Sequence, residues 1–163
     1  MEEWMPIPDF PGYLVSSAGY VQHERRSKDL TRFVTPTGTA YVGLTVGNRT
    51  HNRSLALLVA NAFLPTPRNS SFTTPINLNG NRLDNRAENL KWRPLWFARK
   101  YFHQFPWTGT GYNIPILLLD TGEVFPNSWA AATRFGLLNM DLTVAIANRD
   151  KAWPTQQIFR PVK

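Results

Sequence analysis

Of the 18 Lys and Arg residues in this 163-residue chain, 13 lie within residues 1–100, against seven of the 11 acidic residues. All of these basic residues but Arg68 fall in three groups. Arg82, Arg86, Lys91 and Arg93, followed by Arg99 and Lys100, surround an amide-rich stretch from Asn77 to Asn89. Arg25, Arg26 and Lys28, followed by Arg32, come after a first pair of short strands, and Arg49 and Arg53 sit at a second hairpin. Guanidinium and ammonium groups position phosphates and release condensed counterions when they do so. Taken singly, each of these side chains is a solvated surface charge. As a set, on a chain of net charge +7, they predict a polyanionic partner. Other chemistry is poorly provided. The absence of cysteine removes disulfides, thiolate nucleophiles and thiolate-based zinc sites, and His23, His51 and His103 form no close pair, so no metal site is expected. The carboxylates of Asp120-Thr121-Gly122-Glu123 belong to a hairpin turn.

The elements that would carry these residues are short. With 42% hydrophobic and 18% charged residues the chain is globular. No apolar run approaches the ~20 residues of a bilayer span, and the acidic amino terminus lacks a signal-peptide core, so a cytosolic location is expected. Residues 4–13 hold Pro6, Pro8 and Pro11, too many for a helix or a central strand, and predict an extended arm pinned by its aromatics. Leu14–Ser16 and Tyr20–Gln22 read as strands about a Ser17-Ala18-Gly19 turn, and residues 39–46 alternate with period two before Gly47-Asn48. Ser54 is placed to cap a helix through Leu55, Leu58, Val59, Ala62 and Phe63, stopped by Pro65. Ile76–Leu78 reads as a strand, Asn79-Gly80-Asn81 as a turn, and residues 84–90 as a polar helix leading to Lys91-Trp92. Residues 96–113 read as an aromatic, irregular connector, with Trp92 and Trp96 as packing residues. Beyond it, Ile116–Leu119 and Glu123–Phe125 form a hairpin. Ser128 then caps a helix ended by Gly136, and Asp141 caps a second one through Asn148. Two capped helices about a glycine-containing turn fit a helix-turn-helix, in which Trp129, Phe135, Leu138 and Ile146 would be core.

Three pieces, in order, resemble the phage and intron-encoded HNH homing endonucleases. The first is Trp4-Met5-Pro6-Ile7 with Tyr13-Leu14-Val15-Ser16-Ser17-Ala18-Gly19-Tyr20-Val21, similar to the small amino-terminal module of those enzymes. The second is Leu57-Leu58-Val59-Ala60-Asn61-Ala62-Phe63 and then Asn77-Leu78-Asn79-Gly80-Asn81 through Asn89-Leu90-Lys91-Trp92, similar to the motif itself. The third is Asp120–Phe125 with Ser128-Trp129-Ala130-Ala131-Ala132, similar to an appended helix-turn-helix repeat. The resemblance implies an α+β fold: short β-hairpins and a ββα-metal-like HNH core, then a small hairpin and helix-turn-helix module. Its division would be residues 1–50, 51–95, a connector at 96–113, and 114–163. The family's histidine, general base on water, falls on Asn77, its metal-ligand position on Ile76 and its following aspartate on Asn79, while Asn85 and Asn89 keep the central and final positions. An amide cannot take a proton from water near neutral pH and isoleucine cannot ligate a hard cation. Loss of a general base typically removes roughly 10²–10⁴ in rate.

The resemblance therefore implies a nucleic-acid-binding protein derived from an HNH endonuclease and catalytically inactive, a phage-type regulator or accessory factor. Phosphate contacts would come from Arg25, Arg26, Lys28, Arg49, Arg53, Arg82, Arg86, Lys91 and Arg93, and base contacts from Thr143, Asn148 and Arg149 on the second tail helix. DNA is the first expected partner, with RNA or a ribonucleoprotein as the alternative, and no cofactor is expected. Two rival readings stay open. One is a slow DNA-nicking endonuclease using Asn85, Asn89, a recruited histidine and Mg²⁺ or Mn²⁺. The other is an interaction protein docking on a host ribonucleoprotein or polymerase.

Overall fold

The computed structural model describes residues 1–163 as two compact units, Met1–Leu95 and Trp96–Lys163. No helix is long and apolar enough to cross a membrane.

The first unit opens with the proline-rich arm. It supplies β1 (Trp4–Pro6), and Pro6 is tolerated there because β1 is the edge of a four-stranded antiparallel sheet. Strands β2 (Tyr13–Ser16), β3 (Val21–His23) and β4 (Arg26–Asp29) follow in sequential order. The segment carrying Arg26 and Lys28, for which the sequence predicted no strand, is thus a strand, fixed to β3 through a register irregularity at Gln22/His23. A three-stranded sheet holds β5 (Phe33–Val34), β6 (Ala40–Val46) and β7 (Arg49–Ser54). The period-two pattern of β6 buries Ala40, Val42 and Leu44 against the unit's core, and the Tyr13 hydroxyl ties the two sheets by accepting from the Thr45 N–H at 3.1 Å.

Helix α1 (Leu55–Phe63) begins where Ser54 Oγ accepts from the Leu57 N–H, and buries Leu55, Leu58, Val59 and Ala60. After it, β8 (Thr74–Asn77) pairs with β9 (Leu90–Arg93) in the register Ile76↔Lys91 and Asn77↔Leu90. The helix expected over residues 84–90 is not formed; only a 3₁₀ turn at Ala87–Asn89 appears. An α-helix there would need the Asp84 carbonyl for the N–H of residue 88. Instead it accepts from the side chains of Asn77 and Asn89, both at 2.8 Å.

Helix α2 (Leu95–His103), which enters the second unit at Trp96, and a 3₁₀ turn at Phe105–Trp107 stand where the composition suggested an irregular connector. Phe97, Ala98 and Tyr101 form its buried face at i, i+1 and i+4. Strands β10 (Ile116–Leu118) and β11 (Val124–Phe125) make the expected hairpin. Helices α3 (Ser128–Phe135) and α4 (Asn139–Asn148) follow. Their starts differ from the sequence expectation. Asn127, not Ser128, caps α3 by accepting from the Ala130 N–H at 2.8 Å, while Ser128 is buried and its Oγ accepts from the Tyr112 N–H. α4 starts two residues before Asp141, with no side-chain cap. The turn between them is held from outside the helix pair: Gln104 Oε1 accepts from the Asn139 N–H at 2.9 Å and its Nε2 donates to the Leu137 carbonyl at 3.2 Å. Strands β12 (Lys151–Ala152) and β13 (Gln157–Pro161) complete a sheet of order β11-β10-β13-β12, which the sequence did not foretell. Ile116, Leu118, Leu137, Leu142, Ile146 and Phe159 are its core.

Gln104→Ala leaves the first N–H of α4 and the Leu137 carbonyl without partners, and is expected to lower stability by about 1–3 kcal/mol in thermal or urea melts. Gln104→Glu keeps the acceptor and loses the donor, so it falls between. A Gln104→Ala variant that melts like the parent would remove this residue as a support of the helix pair.

Candidate functional site

The amide-rich loop between β8 and β9 is where the sequence placed chemistry, and its local folding explains what the residues do. Asn81 forms a side-chain turn, its Oδ1 accepting from the Leu83 N–H at 3.0 Å, and the Asp84 N–H returns to the Asn81 carbonyl. The loop therefore curls back over the strand ends. This brings together Asn77, Asn85 and Asn89, which are 3%, 3% and 8% exposed.

Buried amides must find partners, and these find each other. Asn77 Nδ2 donates to Asn85 Oδ1 at 3.0 Å as well as to the Asp84 carbonyl. Asn85 Nδ2 donates to the Arg82 carbonyl. Asn89 Nδ2 donates to Asn79 Oδ1 at 2.9 Å, and Asn89 Oδ1 accepts from the Asn79 N–H at 3.1 Å. Asn79 Nδ2 in turn donates to Asp84 Oδ2 at 2.8 Å. Three motif residues, with Asn79 and Asp84, thus form a closed clasp whose amides are engaged with the loop itself.

Asp84 is the carboxylate that joins the clasp, and Arg86 holds it through Nε to Oδ1 and Nη2 to Oδ2, both at 2.8 Å, while Arg86 Nη1 reaches Glu88 at 2.8 Å. The Arg86 hydrogen bond, opposed by partial burial and helped by Asn79, holds the Asp84 carboxyl below its ordinary range; the Arg86 guanidinium is stabilised in its charged form by the same contact. A divalent cation does not fit this arrangement, because the carboxylate oxygens face a guanidinium and an amide N–H₂. No group of three or more His, Asp or Glu side chains in the structure could hold a metal ion. Ile76, fully buried, does not present a ligand-like position. His23 lies edge-on to Tyr13 and accepts from the Arg25 N–H, and His51 sits beside Phe10; both are engaged in the amino-terminal sheets.

Because a depressed carboxyl pKa belongs to the folded state, the clasp's contribution from Asp84 is fully present above the unfolded value of about 4 and is lost as pH falls through the lower folded value. The expected result is a stability profile that declines below about pH 4 more steeply in the parent than in Asp84→Asn. Urea midpoints across that window check it, and parallel profiles would show that Asp84 is not coupled to folding.

The loop is anchored to the amino-terminal strands. The Ala87 N–H donates to the Ser17 carbonyl at 2.9 Å, and Arg32 Nη1 donates to the Leu83 carbonyl at 3.2 Å. Gly19 has φ +88°, and a Cβ there would come within 3.1 Å of the Asn85 backbone, so the β2–β3 turn can close on the motif only with glycine.

The basic residues divide into two kinds. Arg25, Arg26 and Lys28 on the β3–β4 hairpin, Arg49 and Arg53 on β7, and Lys91 on β9 are exposed. Arg53 lies over the Phe10 ring at 5.0 Å. By contrast, Arg93 is 6% exposed and donates to the Trp92 carbonyl, and Arg82 is half-buried and reaches the Thr37 carbonyl. Arg86 is exposed but bound to Asp84 and Glu88, so Arg82 and Arg86 are engaged in holding the loop and Arg93 lies buried at the end of β9.

In the second unit, Asn148 and Arg149 are exposed at the end of α4, where Arg149 is a left-handed cap at φ 59°. Thr143 is half-buried and its hydroxyl donates to the Asn139 carbonyl, so it is not on the outward face. That face carries Met140, Val144, Ala147 and Asn148 instead. Sequence reasoning also missed Gln104 and Asn127. Their roles depend on groups distant in sequence or on which of two adjacent cap-competent residues enters the helix.

With this geometry in place, the fold is similar to that of I-HmuI, an HNH homing endonuclease solved in a study of its DNA binding and cleavage. The likeness covers 98% of this chain and 98% of that one at 20% identity, with a TM-score of 0.54. No protein-family model and no curated protein sequence matches the chain. At that identity the likeness is one of fold: a mixed arrangement of helices and small antiparallel sheets of the kind an HNH endonuclease uses.

Proposed function

We propose that this protein binds duplex DNA on an HNH homing-endonuclease scaffold whose cutting centre has become a structural clasp, and that it acts as a phage-type regulator or accessory factor. The observation that carries the reading is the amide network. Asn77 stands where the family's general base would be, and together with Asn85 and Asn89 it satisfies the loop's own backbone instead of facing a substrate. An amide has no basic lone pair for water activation, and both carboxylates of the loop, Asp84 and Glu88, are paired with Arg86. The binding half rests on the likeness to a DNA-binding endonuclease and on the exposed cations of β4, β7 and β9. In this reading the ββα core comprises the β8–β9 hairpin with a helix, and α3–α4 serves as a helix-turn-helix with Asn148 and Arg149 toward bases.

A supercoiled-plasmid nicking assay in Mg²⁺ or Mn²⁺, run beside a duplex mobility shift, tests both halves. The expected result is retarded duplex with plasmid left supercoiled. Nicking that disappears in Asn89→Ala would establish the endonuclease reading instead.

One observation favours a second reading, docking on a protein. Met140 is 59% and Val144 54% exposed, which leaves two large apolar side chains on the outer face of α4. Absence of duplex binding at low salt, with capture of a host polymerase or ribonucleoprotein, would support it.

A further inference from the structure

Two indoles in the second unit lie flat against each other at the surface. Trp96 on α2 and Trp153 after β12 have ring centroids 5.5 Å apart and planes 20° apart, yet remain 51% and 41% exposed. Tryptophan carries a large apolar surface, and two such rings held parallel in solvent are not explained by core packing. They are braced from beneath. Trp153 tilts onto Phe97 at 5.5 Å, and Phe97, fully buried, stacks on the fully buried Tyr101. The ladder runs from core to solvent and fixes its outer rings in advance, so a ligand would meet an ordered surface.

A cation lies on the outer of the two rings. Lys100, one helical turn beyond Trp96, places its ammonium 5.5 Å from that ring's centroid. Arg99 and Lys151 are exposed alongside in sequence, and none of the three cations forms an ion pair. An exposed cation–π contact is weaker than stacking of a base on an aromatic ring, so Lys100 can yield the ring and turn to a neighbouring phosphate.

We propose that Trp96 and Trp153, with Lys100, Arg99 and Lys151, form a stacking platform for an unpaired base of single-stranded DNA. A duplex hides its base faces inside the stack, whereas an unpaired base offers a free π-face and a flanking phosphate, the two groups this surface complements. The platform goes beyond duplex binding and shares with the reading above only a DNA partner.

The test uses the full-length chain and fluorescein-labelled oligo(dT) at low salt, followed by anisotropy, with a duplex probe in parallel. Trp96→Leu keeps apolar volume on the helix and removes the π-face; it is expected to weaken oligo(dT) binding roughly 5- to 150-fold while leaving the duplex isotherm unchanged. Trp96→Tyr is expected to recover most of that loss, which a merely structural role for Trp96 would not produce. Equal oligo(dT) affinity in parent and Trp96→Leu would overturn the platform, as would no oligo(dT) binding beside tight binding of an oligo(rU) or of a proline-rich peptide. Loss of duplex binding with retained, Trp96-dependent oligo(dT) binding would instead overturn the duplex reading and leave the platform standing.

Discussion

Ile76→Asp is expected to unfold the first unit in water, or to leave it with little of its stability. Ile76 sits on β8 opposite Lys91 and is completely shielded from solvent, on a strand packed against α1. Removing the branched side chain from such a site costs about 2–5 kcal/mol, and placing a carboxyl there adds the burial of an unpaired polar group, so about 5 kcal/mol or more in total. That is comparable to the entire stability of many domains. The effect has a pH signature. Burial raises the carboxyl's folded pKa above its unfolded value, so the folded state binds the extra proton first and stability recovers as pH falls from 7 toward 5. Asp84 in the parent has the opposite sign, its contribution disappearing at low pH. Urea midpoints for the parent, Ile76→Asp and the uncharged Ile76→Asn, each at pH 5 and pH 7, separate lost packing from buried charge. The double change Ile76→Asp with Asn77→His would, in the proposed reading, put back the ligand and base of an HNH centre, and is expected to gain nothing from Mg²⁺ or Mn²⁺. Metal-dependent rescue of its melting temperature would show that position 76 opens onto a cation site and would undo the clasp interpretation.

That expectation could not have been reached from the chain's letters alone. The motif's outline was legible because it is local: Asn-Gly turns, a Ser54 cap, a helix stopped by Pro65 and a period-two strand at residues 40–46 are set by neighbours in sequence. What the Asn residues do was not legible, since the same amide can face solvent, a metal or another amide. The choice is made by groups eight to ten residues away, the Asn85 side chain for Asn77 and the Asn79 backbone N–H for Asn89. The same pairing explains why residues 84–90, polar and helix-compatible in composition, form only a 3₁₀ turn. α2 escaped notice for a different reason. Its aromatic residues serve a buried face and an exposed one at once, so Phe97 and Tyr101 go inward while Trp96 stays out, and no clean apolar stripe marks it. Strands β12 and β13 are short, and β13 is defined by its place between β10 and β12 rather than by any pattern of its own.

Binding to random duplex DNA is expected to fall roughly 500-fold when monovalent salt rises fourfold. The figure follows from counting side chains that the structure leaves in solvent. Arg25, Arg26, Lys28, Arg49, Arg53 and Lys91 are exposed in the first unit. If about five of them meet phosphates, the logarithmic slope is about −4.5, and a fourfold change in salt gives that loss. Replacing Arg25, Arg26, Lys28 and Arg49 with Gln is expected to flatten the slope to about −1 and to weaken binding alike on unrelated sequences, because phosphate contacts carry no base information. Arg86→Gln supplies the internal comparison. Its guanidinium is held by Asp84 and Glu88 at 2.8 Å, so it is not free to neutralise a phosphate and displace the DNA's counterions, and its removal should leave the slope where it was. A slope that drops by about one in Arg86→Gln, and stays unchanged in the fourfold variant, would place the phosphate path over the clasp instead of along β4 and β7. A uniformly flat dependence would mean that the basic surface steers encounters with a protein and that DNA is not what these residues hold.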